Sequence, residues 1–191
     1  MRAVLLICLC QVMIAIAEDG NANAYLEAHN EVRRTITPSA ANMKKLVWDQ
    51  GLADIARDWA SKCVIENNPH RSNESMHVGE NILLVREGRG AGPTAMDIVS
   101  KWAGQLVYYD PVTFQCLKGI QCWMYTQIVW AETEKLGCAE HRCPGGTFVV
   151  CNYAPGSHIN MQPYIPGTPC SHCAHEYTCD NGLCKKILSV P

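Results

Sequence analysis

Tyr125-Thr126-Gln127-Ile128-Val129-Trp130, Leu136-Gly137-Cys138-Ala139 and Cys151-Asn152-Tyr153-Ala154-Pro155 are three short runs lying between residues 125 and 155. The first predicts a short helix. Leu136 to Glu140 and Thr147 to Tyr153 are strand-like runs, the second entered through a Pro144-Gly145-Gly146 turn. Upstream, Asn81 to Val85 predicts another strand. Three longer segments repeat apolar residues at helical spacing: Tyr25, Ala28, His29 and Val32; Leu52, Ile55, Ala56, Trp59, Ala60 and Cys63; and Ala95, Val99, Trp102, Ala103 and Leu106. Asp49 is placed to cap the second, and Pro93-Thr94 leads into the third. Helices around a small sheet, in an order unlike βαβ repetition, predict an α+β fold.

The chain has 191 residues, enough for one domain of ordinary size. Its 16 basic and 18 acidic residues leave a formal charge of −2, which excludes the basic field of a nucleic-acid binder. Twelve cysteines call for a disulfide or metal explanation. Residues 1–17, with Arg2, an apolar run from Ala3 to Ile16 and an Ala15-Ile16-Ala17 cleavage pattern, predict a secretory signal peptide and hence an extracellular protein. Cleavage there removes Cys8 and Cys10 and leaves an even number, the default for disulfides in an oxidising compartment. Asn73-Glu74-Ser75 is a glycosylation sequon. Ala154 to Pro169 holds four Pro and two Gly and reads as an extended wrap. Cys170, Cys173, Cys179 and Cys184 then fall in a segment too small to bury a core, so it needs staples; with His172 and His175 the spacing also permits a zinc knuckle.

Taken with Leu26, His29-Asn30, Arg33 and Gly79-Glu80-Asn81, the three runs resemble the CAP superfamily of cysteine-rich secretory, antigen 5 and pathogenesis-related proteins, over roughly residues 22–160. The resemblance implies a three-layer α-β-α sandwich with a small, three-stranded antiparallel sheet, here a domain over 18–160, followed by a Pro-rich wrap and a short disulfide-stapled hinge over 161–191. It implies the pairs Cys63–Cys143, Cys116–Cys122, Cys138–Cys151, Cys170–Cys179 and Cys173–Cys184.

Family members carry a cleft with two His and two Glu able to hold a divalent metal. Mapped onto this chain, Gly-Glu-Asn supplies Glu80, whereas Gln105 stands for the second Glu and Met124 for the second His. The first His maps to His70, with His77 as its rival. An amide and a thioether are poor zinc ligands, so neither a metal cofactor nor catalysis is expected. Ser72 and Ser75 lie near these histidines, but no G-x-S-x-G elbow accompanies them.

The resemblance also implies two lipid-binding modes. A sterol would use the apolar segment containing Tyr108, Tyr109, Phe114, Leu117, Ile120 and Trp123, which reads equally as a lid or as an element folded onto the core. A fatty acid would lie between the first and fourth helices, along Val32, Ile36, Ile128 and Val129. The expected function is a secreted, non-catalytic, venom allergen-like protein binding sterol or fatty acid. The alternative is an extracellular ligand of a host protein, an immune modulator or a channel-directed toxin. A monomer is expected.

Overall fold

The computed structural model describes residues 21–86 and 92–187; the expected signal peptide lies outside them. Helix α1 occupies the described residues 21–35, and α2 spans Gln50–Ser61, α3 Ala95–Ala103 and α4 Trp123–Ile128. Strands β2 (Gly79–Arg86), β5 (Lys135–Cys143) and β6 (Gly146–Ala154) form the long part of the sheet. Both β5 and β2 pair antiparallel with β6, which is therefore central. A two-residue strand, β1 (Val47–Trp48), adds to β5 in parallel, so the sheet has four strands rather than three. Two hairpins complete the inventory among the described residues: β3 (Tyr109–Asp110) with β4 (Gln115–Cys116), and β7 (Tyr177–Asp180) with β8 (Leu183–Lys186).

The two-residue period of a strand sorts the side chains into layers. Phe148 and Val150 of β6, with Ile82 and Leu84 of β2, pack under Ala56, Trp59 and Ala60 of α2. Their neighbours Val149, Cys151 and Tyr153 turn to the opposite face, with Leu83 and Val85, and meet Tyr25, Ala28, Ile98, Val99, Trp102, Tyr125 and Ile128. One face of the sheet thus carries α2 and the other α1, α3 and α4. Asp49 caps α2, accepting from the Leu52 N–H, and Thr94 forms a capping box with Asp97 on α3. Gly137 allows α2 to lie close on β5: a Cβ there would fall 2.1 Å from the Ala53 nitrogen.

Helix α3 ends earlier than its apolar spacing predicts. After Ala103 the chain tightens into a 3-10 turn, Gly104–Tyr108, and Leu106 comes out 44% exposed. Three residues per turn instead of 3.6 rotates it off the core face.

The disulfides are Cys63–Cys143, Cys116–Cys122, Cys138–Cys151, Cys170–Cys179 and Cys173–Cys184. Both hinge pairs being oxidised leaves no thiolates there for a zinc knuckle. The hinge does not hang free. Lys45 N–H donates to the Cys184 carbonyl, and Cys184 N–H to that of Met43, each at 2.8 Å. Leu183 joins the main core, and Tyr177 donates to Glu134 at 2.5 Å. No helix among the described residues is long and apolar enough to cross a membrane.

Candidate functional site

Residues with chemistry converge on a cleft of about 320 Å³ at the edge of the sheet. The loop before β2 contributes Asn67, Arg71 and His77, and the start of β2 contributes Glu80 and Asn81. Gln105 reaches in from the 3-10 turn, and Gln121, Trp123, Met124 and Gln127 from α4 and its approach. Ser157 and Ile159, on the strap after β6, close the far wall.

A buried polar chain fixes the floor. Asn81 Nδ2 donates to the Met124 carbonyl at 3.0 Å and to the Tyr153 hydroxyl at 3.2 Å. The Tyr153 hydroxyl lies 2.8 Å from His29 Nε2, and His29 Nδ1 lies 2.7 Å from the Tyr25 carbonyl. Gln127 is built in at both ends of its amide: Oε1 accepts from the Ser157 N–H at 2.8 Å, and Nε2 donates to Thr133 at 3.3 Å. The motif residues of β2, α4 and β6 therefore hold the cleft's shape.

Glu80, Gln105 and Met124 all line this cleft, but His70 does not. His70 is exposed, and its backbone N–H donates to Asn68 Oδ1 at 2.9 Å. The side chain that reaches Glu80 from the loop is Asn67: its Nδ2 donates to Glu80 Oε1 at 3.0 Å, beside the Asn68 N–H at 2.7 Å. The assignment of His70 is thus corrected. Pro69, next to it, is also exposed. His77 does border the cleft, on its other rim. Its Nε2 lies 3.2 Å from the Ser157 carbonyl, and its ring stacks on His158 at 5.2 Å. Nothing in the sequence distinguishes Asn67 from Asn68; Arg71, Gln121, Ser157 and Ile159 also escape sequence reasoning, because loop geometry alone brings them in.

Burial raises the Glu80 carboxyl above its ordinary range, opposed by the bonds from Asn68 and Asn67 and by Arg71. Its second oxygen, Oε2, is sealed from solvent with no partner among the described residues. Gln105 Oε1 accepts from the Met124 N–H at 3.0 Å, so the residues at two implied ligand positions are bonded to each other. Among the described residues no three of His, Cys, Asp or Glu lie close enough to hold a metal ion. With one carboxylate, already doubly bonded, two amides and a thioether, and with His77 on the other rim bonded to the Ser157 carbonyl, this donor set does not fit zinc. The expected result is no change in melting temperature with micromolar zinc. The triple change Asn67→His, Gln105→Glu and Met124→His should gain about 2.7 kcal/mol at a hundredfold excess over Kd, several degrees for a chain of this size. A wild-type protein that gained several degrees would refute it.

The apolar segment divides in two. Tyr109 is buried against Tyr125, their rings 5.5 Å apart, and Phe114 packs on the same core. Tyr108, Leu117, Ile120 and Trp123 are 39–49% exposed, and Val112 at the hairpin tip is 82% exposed. The Cys116–Cys122 bridge closes the segment next to α4. On the second lipid route, Ile128 and Val129 are fully buried in the main core, and Val32 and Ile36 pack against that core. Val32 and Ile36 thus lie on the half-exposed margin of the core, and Ile128 and Val129 inside it. Asn73 is exposed, with its Oδ1 accepting from the Ser75 N–H, the Ser75 hydroxyl and the Met76 N–H.

Residues 26–153 match the family described as "CAP: Cysteine-rich secretory protein family". The chain is 39% identical over 178 residues to GLIPR1-like protein 1 of Mus musculus, covering 86% of this chain and 72% of that protein. It is 36% identical over 183 residues to peptidase inhibitor 16 of Bos taurus, covering 91% of this chain and 38% of that protein. Venom allergen-like protein 4 of Schistosoma mansoni superposes with a TM-score of 0.66 at 29% identity, covering 80% of this chain and 98% of the other.

Proposed function

Because the chain belongs to the cysteine-rich secretory protein family, CAP, we propose that it is a secreted, non-catalytic binding protein that carries a sterol on the hairpin between Tyr108 and Trp123. The observation that carries this is the exposure of Tyr108, Leu117, Ile120 and Trp123 on one stapled segment whose inner residues, Tyr109 and Phe114, are anchored in the core. A sterol is a rigid apolar body with one hydroxyl, and it suits a rigid apolar surface with few polar groups. Burial of Ile128 and Val129 favours this mode over a fatty acid.

The non-catalytic reading rests on the hydroxyls near the cleft. Ser72 Oγ accepts from the Val78 N–H at 2.9 Å, and Ser75 Oγ donates to Asn73 at 2.8 Å. Each is tied to the loop itself and not to a histidine base, as nucleophilic catalysis would need.

Titration with labelled cholesterol, with palmitate as comparator, tests the proposal. Saturable cholesterol binding is expected, weakened about tenfold or more by the pair Leu117→Ser and Ile120→Ser, since each loses buried apolar area. No saturable cholesterol binding would sink it. That result would favour the other reading, an extracellular protein ligand, for which the name of the Bos taurus relative, peptidase inhibitor 16, is the support.

A further inference from the structure

The cleft beside Glu80 has lost the chemistry of a metal site and gained another. Five of its side chains are amides: Asn67, Asn81, Gln105, Gln121 and Gln127. Asn81 and Gln127 are consumed by the framework, as described above. The other three differ. Both bonds from Asn67 Nδ2 go to Glu80, to Oε1 at 3.0 Å and to the carbonyl at 3.3 Å, which leaves Asn67 Oδ1 as an acceptor. Gln105 is oriented the opposite way: the Met124 N–H takes its Oε1, leaving the NH₂ group as a donor. Gln121 is exposed and offers both.

The charges exclude simple ions. Glu80 and Arg71 face the same space with opposite sign. Arg71 commits Nε to the Val78 carbonyl at 2.9 Å and Nη1 to that of Asn68 at 2.7 Å, so the loop takes its Nε edge, and the charge that remains lies beside the opposite charge of Glu80. Glu80 has one oxygen doubly bonded and the other sealed, so it offers little to a cation. Around this balanced pair stands a set of uncharged donors and acceptors, with Asn67 and Gln105 fixed by their bonds. On one wall stand the half-exposed Trp123 and the exposed Ile159.

We propose that this cleft binds a neutral polyhydroxylated ligand, a saccharide, with hydroxyls on Asn67, Gln105 and Gln121 and an apolar ring face against Trp123. A hydroxyl both donates and accepts, so it matches a mixed set that neither an anion nor a cation matches. A sugar ring carries C–H groups on its face, and an indole is the side chain that packs a flat apolar face while its N–H stays available. The volume is at the small end of ligand pockets.

The test is saturation-transfer NMR titration of the whole secreted protein with methyl glycosides of glucose, galactose, mannose and N-acetylglucosamine. At least one should bind saturably, with a dissociation constant on the order of 1 mM, as expected of a small solvent-facing site. Gln105→Glu separates recognition from structure: it keeps the oxygen that Met124 needs and replaces the donor by an acceptor. It should weaken glycoside binding about tenfold while leaving the melting temperature in place. Gln121→Ala should weaken it as well, whereas Leu117→Ser with Ile120→Ser should leave it untouched even if cholesterol binding is lost. The inference is overturned by absence of saturable signal for all four glycosides, by equal binding to Gln105→Glu, or by inorganic phosphate competing for the cleft. A cholesterol titration that fails while a glycoside binds would sink only the sterol reading.

Discussion

Arg33→Met should lower the melting temperature by roughly 8–16 °C, the equivalent of about 4 kcal/mol in a chain of this length. Arg33 is 1% exposed, on the inward face of α1. Its guanidinium makes six hydrogen bonds to five backbone carbonyls, those of Lys44, Ile128, Trp130, Ala131 and Thr133. These carbonyls come from the segment before β1, from the last residue of α4 and from the irregular stretch between α4 and β5, where no regular ladder serves them. The side chain does there what a ladder does elsewhere. Desolvation lowers its pKa to about 9, against the pull of Glu132 and Tyr153, so it remains charged at neutral pH. Removing it strands the carbonyls of Lys44, Ile128 and Thr133, whereas those of Trp130 and Ala131 keep the Thr133 and Lys44 N–H groups; each unsatisfied group costs about 1–3 kcal/mol. Arg33→Lys should recover little, because an ammonium has three donors on a point and cannot span five acceptors. Thermal denaturation followed by circular dichroism decides it; a loss below about 1 kcal/mol would show that water replaces the guanidinium without penalty.

That role explains which parts of the molecule were legible in the sequence. The strands β2, β5 and β6 and the helix α2 were visible because period-two and period-3.6 patterns follow directly from which face is buried. The motif residues were visible as a set, and their work is now assignable. Asn30 pairs both ways with the Leu46 backbone at 3.2 and 2.9 Å, Asn152 holds the Leu52 carbonyl at 3.3 Å, and Gln127 holds the strap after β6. The cleft was only half legible. Glu80, Gln105 and Met124 sit on regular elements or at their ends, so motif spacing reached them. Asn67 and His70 lie three residues apart in a loop fixed by Arg71 and Asn68 bonds, and no periodicity says which of them faces the strand. Likewise β1 is two residues long and becomes a strand only because β5 offers its edge. The split of the apolar hairpin into anchored and exposed halves depends on how its turn, with Phe114 in a left-handed conformation at φ 59°, aims each side chain.

Acidification should remove about 3 kcal/mol of stability between pH 6.5 and pH 4, through His29 alone. The imidazole is fully buried, and desolvation lowers its pKa to about 4; Arg33 also lowers it, against the bond to the Tyr25 carbonyl. The bonding pattern accounts for the neutral ring. Because Asn81 donates to the Tyr153 oxygen, the Tyr153 proton is free to go to His29 Nε2, which leaves Nδ1–H to donate to Tyr25. In the unfolded chain the same imidazole has an ordinary value near 6.5. Below that pH the unfolded state binds the proton first, so the stabilisation is complete above pH 6.5 and falls away as pH drops to 4. Glu134 also destabilises in acid but in a lower window, because Lys44, Tyr177 and Lys186, acting against desolvation, hold its carboxyl down to about 2. Glu80 acts with the opposite sign, since its raised carboxyl favours the protonated folded state and offsets part of the loss. Denaturant unfolding of wild type and His29→Gln across this range isolates the contribution. The variant is expected to be less stable at pH 7, having lost a fitted ring, yet its stability should no longer fall from pH 6.5 toward pH 4, the Glu80 contribution now acting without that of His29. A variant with the same slope as wild type would mean that some group other than His29 takes up the proton.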